Sequence, residues 1–166
     1  MKILGIDPGT QVMGWGVIET DGDNVSAAGY GAIKVPEKLQ PADKLNLLYS
    51  ELLKIIRKYQ PDNIAVEQPF VAKNVHSAFV VGRAQAVALL AAAGNKIPSF
   101  EYTPAQVKLR VSNYGASGKE QIQQMVKLML GMKEIPQPND AADALAIALC
   151  HAQESHLSDM ISRQGE

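Results

Sequence analysis

The stretch ILGIDPGTQVMGWGVI, residues 3–18, determines how the chain begins to fold. An apolar run ends at Asp7, the chain turns at Pro8 and Gly9, and a second apolar run follows, which predicts two antiparallel strands joined by a turn. A carboxylate at the end of a buried strand has three explanations. Asp7 begins the turn, or it binds a metal ion for phosphate chemistry, or it opens the nucleotide site of an ATPase, where Asp-x-Gly-Thr turns also occur.

Length and composition limit the classes of protein to consider. The 166 residues suffice for one core and are too few for two lobes that close over a nucleotide. With 46% hydrophobic and 20% charged residues, the composition is that of a soluble globular domain. The first residues do not resemble a signal peptide, and no apolar stretch is expected to span a membrane. Cys150 is the only cysteine, which excludes a disulfide framework and fits a cytoplasmic protein.

Charge is distributed unevenly along the chain. The net charge is −1, but residues 68–133 carry eight Lys or Arg and two Asp or Glu, a net charge of +6, between segments of −2 and −5. Such a basic block predicts one positive face for a polyanion, with the acids gathered elsewhere. Alternatively, these basic residues are scattered, solvated positions.

The spacing of apolar residues predicts a mixed sheet. Five strands are expected, at 2–7, 14–20, 24–34, 63–68 and 97–102, the first three as an antiparallel meander. Five helices are expected. The first ends at Tyr59, the second runs from 74 to 94, the third begins at 104, and the last two span 119–130 and 140–153. Three antiparallel strands followed by two parallel ones, with helices on both faces, form an α/β domain of the ribonuclease H-like class. We expect one domain over residues 1–155 and a frayed tail at 156–166.

Two carboxylates are expected to meet at one edge of this sheet. Glu67 ends the buried run IAVE, residues 64–67, as Asp7 ends the first strand. If these strands are parallel neighbours, both side chains emerge at the carboxyl edge, where open α/β sheets bind ligands. Like charges held that close repel each other unless a cation lies between them, which favours a metal site.

The last helix adds two acids in PNDAADALAIAL, residues 138–149. Asp140 and Asp143 are three residues apart and therefore share a helix face. Asp140 alone can simply complement the helix dipole, whereas Asp143 lies on an otherwise apolar helix and needs a partner. Four carboxylates suit Mg²⁺ or Mn²⁺. Two such ions about 3.5–4 Å apart support phosphodiester hydrolysis.

Six motifs together resemble the RuvC family of Holliday junction resolvases. In chain order they are GIDPGT with GWGVI, AVEQPF, GRAQAVALLAAA, YTPAQVK, GASGKEQIQ and DAADALAIALCHA, and they cover nearly the whole chain. The resemblance implies a homodimer that binds four-way DNA junctions and nicks two opposing strands with Mg²⁺ or Mn²⁺ during recombination and repair. It also implies branch-migration helicases as partners. The family's catalytic, metal-binding acids fall on Asp7, Glu67, Asp140 and Asp143, and some members carry histidine at the position of Asp140.

The resemblance further implies that Lys108, Lys119 and the aromatic Phe70 bind the junction. Lys119 opens a helix after a Gly-Ala-Ser-Gly tip, where its ammonium and free backbone N–H groups can bind one phosphate. Lys108 and Arg110 lie in the basic block and would contact phosphates without reading the sequence. Phe70 follows a proline on a loop, so it either stacks on an unpaired base or anchors the loop in the core.

The helix at residues 74–94 carries a signature of dimerisation. It is apolar almost all round, whereas a helix with one wet face would show a polar stripe. We expect one side to pack on the sheet and the other, with Phe79, Gly82 and Ala86, to pack on a second copy of the chain. Alternatively, the last helix covers that side.

Overall fold

Five strands form one mixed sheet in the structure, a computed structural model that describes residues 1–22, 24–69, 75–112 and 118–164. The strands are β1 (Lys2–Asp7), β2 (Val12–Asp21), β3 (Asn24–Lys34), β4 (Asn63–Glu67) and β5 (Ser99–Tyr102). Their order is β3-β2-β1-β4-β5, with β1 to β3 antiparallel and β4 and β5 parallel to β1. The predicted sheet, with three antiparallel strands followed by two parallel ones, is confirmed.

Five helices cover the two faces of this sheet. They are α1 (Pro41–Tyr59), α2 (Val75–Gly94), α3 (Pro104–Ser112), α4 (Lys119–Met129) and α5 (Asn139–Gln164). Side chains of β1 alternate between the faces. Leu4 and Ile6 pack with α1 and α2 in one core cluster, whereas Ile3 packs with α3, α4 and α5 in the other.

The last helix is longer than its sequence predicts. It continues to Gln164 rather than ending near residue 153, so the tail expected to be frayed is helical as far as the structure describes it. No Gly or Pro interrupts residues 139–164, and nothing in this stretch therefore ends the helix. The Ser158 and Ser162 hydroxyls each donate a hydrogen bond to the carbonyl four residues earlier. Smaller differences occur at two strands. β2 begins two residues earlier than predicted, and β5 begins two residues later.

Glycines let α5 lie directly on the sheet. A Cβ at Gly5 of β1 would overlap the carbonyl oxygen of Ala144, and one at Gly14 of β2 would overlap the carbonyl oxygen of Asp140. Because Gly14 is the cross-strand partner of Asp7, this contact sets the first turn of α5 beside the end of β1. The backbone contact therefore fixes where the acids of α5 lie.

A buried histidine joins α5 to the parallel half of the sheet. His151 is 1% exposed. Its Nδ1 lies 2.7 Å from the Tyr102 hydroxyl at the end of β5, and its Nε2 lies 2.9 Å from the Asn63 amide at the start of β4. Burial lowers the pKa of His151. His151 is therefore a packing residue of the core.

We expect Gly5→Ala to destabilise the fold, because the added methyl group meets the backbone of α5, which cannot rotate away. Overpacking of this kind costs about 1–3 kcal/mol or more of unfolding free energy. Urea denaturation followed by circular dichroism measures the loss. Gly94→Ala is the control, since its Cβ would meet only the Tyr49 hydroxyl at an ordinary 3.7 Å. Equal stability of both variants and the wild type would contradict the close packing of α5.

Candidate active site

Asp7 and Glu67 lie side by side at the carboxyl edge of the sheet. Each is the last residue of its strand, and β1 and β4 are parallel neighbours paired up to Ile6 and Val66. By the alternation of side chains, both acids share a face with Gly5 and Ala65, which is the face covered by α5. The arrangement predicted from the two strand ends is therefore present.

Two acids of α5, the helix that covers this face of the sheet, complete the cluster. Asp140 lies in the first turn, over Gly14, and Asp143 follows it on the same helix face. Asp143 lines a cavity of about 240 Å³ together with Asp7 and Glu67. Asp140 contributes to the electrostatics of the cluster, although it does not line that cavity.

The carboxylates strongly perturb one another. Burial, followed by the charges of Glu67, Asp143 and Asp140, raises the pKa of Asp7 from 3.8 to about 8. Burial and then the charge of Asp143 raise the pKa of Glu67 from 4.5 to about 7. Such shifts arise where carboxylates are buried close to one another. The cluster is therefore poised to bind positive charge.

Two lysines supply part of that positive charge. The Lys119 ammonium lies 2.7 Å from Oδ2 of Asp143, and this ion pair raises the pKa of Lys119. Lys108 lines the same cavity, and both lysines lower the pKa of Glu67. Thus the cavity has an acidic wall from β1, β4 and α5 and a basic wall from α3 and α4.

The donor set fits a hard divalent cation. All four candidate ligands are carboxylates, and oxygen ligands are those that Mg²⁺ and Mn²⁺ prefer. Among the residues that the structure describes, no three acidic, histidine or cysteine side chains are gathered closely enough to enclose an ion. Asp143 points one oxygen at Lys119 instead. The residues are thus of the right type and at the right edge, with an ammonium bound to one of them.

The predicted DNA-binding residues are not all near this cavity. Lys108 and Lys119 are, whereas Arg110 pairs with Glu154 at 2.6 Å and lines a separate groove with Met1 and Thr20. That groove lies at the opposite edge of the sheet, where β1 begins and β2 ends. Phe70 lies outside the described residues. The structure therefore places two of the four predicted residues at the cavity and separates Arg110 from them.

The outer side of α2 is apolar and uncovered in the single chain. Phe79 is 66% exposed, and together with Gly82 and Ala86 it lines a hollow of about 430 Å³. The inner side of α2 packs on α1 and the sheet, while α5 lies on the opposite face of the sheet. The alternative in which the last helix covers α2 is therefore wrong. By length and composition α2 could also cross a membrane, a test that core helices of other proteins pass as well.

Sequence reasoning missed two features of the site. The pairing of Lys119 with Asp143 joins residues 24 positions apart, and no local pattern announces it. A second hollow of about 230 Å³ adjoins Asp7 and Glu67 and is lined by Gln68, Pro69 and Ser77 among others. The motif AVEQPF was the available signal for this hollow, because Gln68 and Pro69 directly follow the acidic strand end at Glu67.

Comparison with known proteins gives a consistent result. Residues 3–151 match the family described as Crossover junction endodeoxyribonuclease RuvC. A protein of that name from Dehalococcoides mccartyi is 50% identical over 163 residues, which are 98% of each chain. Another from Chloroflexus aggregans is 51% identical over 92% of this chain and 93% of its own.

Solved structures agree with these matches. RuvC from Thermus thermophilus is 32% identical, with a TM-score of 0.88 over 95% of this chain and 97% of its own. The same protein in complex with a Holliday junction substrate is 31% identical, with a TM-score of 0.89 over 95% and 96% of the two chains. The family match over residues 3–151 includes all four acids of the cluster and all of the sheet except Lys2.

We expect Glu67→Gln to lower the pKa of Asp7, because Glu67 is the largest charge that raises it. The titration midpoint of the Asp7 carboxyl should fall by about 1 in pH. Carbon-13 NMR of the carboxyl groups, between pH 4 and 10 in EDTA, measures it. Glu51→Gln removes an equal charge from the exposed side of α1 and should leave the midpoint unchanged. A wild-type midpoint near 4 would show that the acids are not gathered as described.

Proposed function

The chain belongs to the RuvC family of crossover junction endodeoxyribonucleases, and from this membership we propose how its own residues cut DNA. The protein is a structure-selective endonuclease that resolves four-way DNA junctions in recombination and repair, by metal-dependent nicking of two opposing strands. One observation carries the assignment of residues. Asp7, Glu67 and Asp143 converge on a single cavity whose facing wall carries Lys108 and Lys119.

We assign the metal ligands to the four carboxylates. Asp7, Glu67 and Asp143 line the cavity, and Asp140 adds its charge from the first turn of α5. Mg²⁺ or Mn²⁺, as a pair of ions, would activate water and neutralise the charge that develops on the phosphate. The high pKa values of Asp7 and Glu67 support this assignment, because a bound divalent ion would keep both groups ionised.

The basic wall positions the phosphodiester backbone. Lys108 and Lys119 reach the cavity from two different helices, so they can contact phosphates on either side of the bond to be cut. Such contacts orient DNA without reading its sequence. Lys119 is also the first residue of α4, and Ile122 in the same first turn lines the cavity. Phe70 stays a candidate for stacking on a base near the crossover.

A homodimer explains how two strands are cut symmetrically. The exposed apolar side of α2 offers an uncovered surface around Phe79, Gly82 and Ala86. A two-fold axis through this surface would present two identical cavities to a junction that is itself nearly two-fold. We place the protein in the cytoplasm, where its single, buried Cys150 would stay reduced. Branch-migration helicases remain partners implied by the family.

Replacing any one of the three proposed ligands that line the cavity should abolish nicking and leave junction binding intact. Asp7→Asn, Glu67→Gln and Asp143→Asn each remove one ionised oxygen ligand. We expect the nicking rate to fall by about a thousandfold or more, since metal ions contribute several kcal/mol to such a transition state. Double variants should resemble single ones because the ligands serve one site.

A labelled four-way junction incubated with Mg²⁺ measures nicking, and gel shifts in EDTA measure binding. Duplex DNA and an RNA–DNA hybrid serve as competing substrates. Glu120→Gln is the matched control, because Glu120 is exposed on α4 next to Lys119 and does not line the cavity. Retained cleavage by Asp7→Asn would remove Asp7 from the ligand set. Equal cleavage of the hybrid would contradict junction selectivity.

Ala86→Glu should separate the two subunits without unfolding either. Ala86 is exposed in the single chain, so the new carboxylate would be solvated in a monomer. At an interface it would be a buried, unpaired charge, which costs several kcal/mol. Circular dichroism should be unchanged, sedimentation should report a monomer, and paired cuts should be lost. Ala105→Glu, at an exposed position of α3, is the control and should stay dimeric. A dimeric Ala86→Glu variant would place the interface elsewhere.

A further inference from the structure

The ion pair between Lys119 and Asp143 occupies a ligand of the proposed metal site. The Lys119 ammonium lies 2.7 Å from Oδ2 of Asp143, and it is electrostatically coupled to Asp7 and Asp140 as well. No other lysine or arginine within the described part of the chain pairs with any of the four acids. Lys119 is thus the counterion of the cluster in the protein without DNA or metal.

This position makes Lys119 a competitor for the metal. An ammonium and a divalent cation bound to one carboxylate would stand a few ångströms apart and repel each other. The Lys119 side chain is 58% exposed, so it can swing out of the cavity, whereas Asp143 is held on α5 and is 25% exposed. Movement of the lysine therefore costs less than movement of the acid.

We propose that Lys119 closes the metal site of the free protein by pairing with Asp143, and that a backbone phosphate of DNA releases the site by drawing Lys119 away. This inference rests on the proposed metal ligands. A phosphate that enters the cavity gives the Lys119 ammonium a second anion to bind at the N-terminus of α4. Movement of Lys119 towards this phosphate both binds DNA and frees Asp143 for the metal ion. Metal loading is then coupled to substrate binding, as linkage requires when two ligands favour the same state.

Mn²⁺ binding to the DNA-free protein tests this without any cleavage. Titration calorimetry at fixed ionic strength compares the wild type with Lys119→Met, which keeps the length of the side chain and removes its charge. We expect the Mn²⁺ affinity to rise about three- to fivefold, the factor expected when a partly exposed ion pair no longer competes. Lys119→Arg retains a cation that can pair with Asp143 and should bind Mn²⁺ within about twofold of the wild type.

Lys108→Met is the matched control. Lys108 lines the same cavity and lowers the pKa of Glu67, yet it forms no ion pair with the acids that the structure describes. It therefore reports the general effect of removing one positive charge, which should be about twofold or less. A Lys119→Met affinity no higher than that of Lys108→Met would overturn the competition.

Asp7→Asn separates this inference from the proposed function. If the acids bind the metal, Asp7→Asn should weaken Mn²⁺ binding by about tenfold or more. If it does so and Lys119→Met fails to exceed its control, only the competition is wrong. If Asp7→Asn and Asp143→Asn both bind Mn²⁺ like the wild type, the metal ligands themselves are wrong, and the inference falls with them.

Discussion

The contact of the α5 backbone with the glycines of β1 and β2 is the constraint on which the active site depends. Gly5 and Gly14 have no side chain, so the carbonyl groups of Ala144 and Asp140 rest directly on the sheet. A helix held at the usual distance by side chains would stand farther from the strand ends. Since Asp7 ends β1 and pairs with Gly14, the same contact that closes the core also brings acids from a strand and a helix together.

The electrostatic cost of this arrangement explains the distribution of charge around it. Acids gathered at a buried edge destabilise one another, as the raised pKa values of Asp7 and Glu67 record. The fold places Lys108 and Lys119 on the facing wall, which relieves part of that cost. The relief is incomplete, because both pKa values stay high with the lysines in place. A divalent ion bound as proposed would therefore relieve the remaining repulsion between these acids.

Local patterns in the sequence predict the fold well and the site in part. Alternating and helical periodicities identify the five strands and their order of appearance, and strand ends at Asp7 and Glu67 predict the shared edge, since parallel neighbours end together. The end of α5 could not be found this way, because no residue marks a stop before Gln164. The ion pair of Lys119 with Asp143 could not be found either, since it depends on how α4 and α5 pack rather than on any spacing along the chain.

The basic block, residues 68–133, shows why the net charge of a segment is insufficient to predict the positive surface available to DNA. Lys108 and Arg110 are two residues apart on α3, so a helix turns them to different sides. Lys108 lines the cavity beside Asp7 and Glu67, whereas Arg110 pairs with Glu154 and joins α3 to α5 at the other edge of the sheet. A charge bound to an internal acid contributes little to the attraction of DNA. Arg110 therefore contributes less to a positive surface than the net charge of +6 over residues 68–133 suggests.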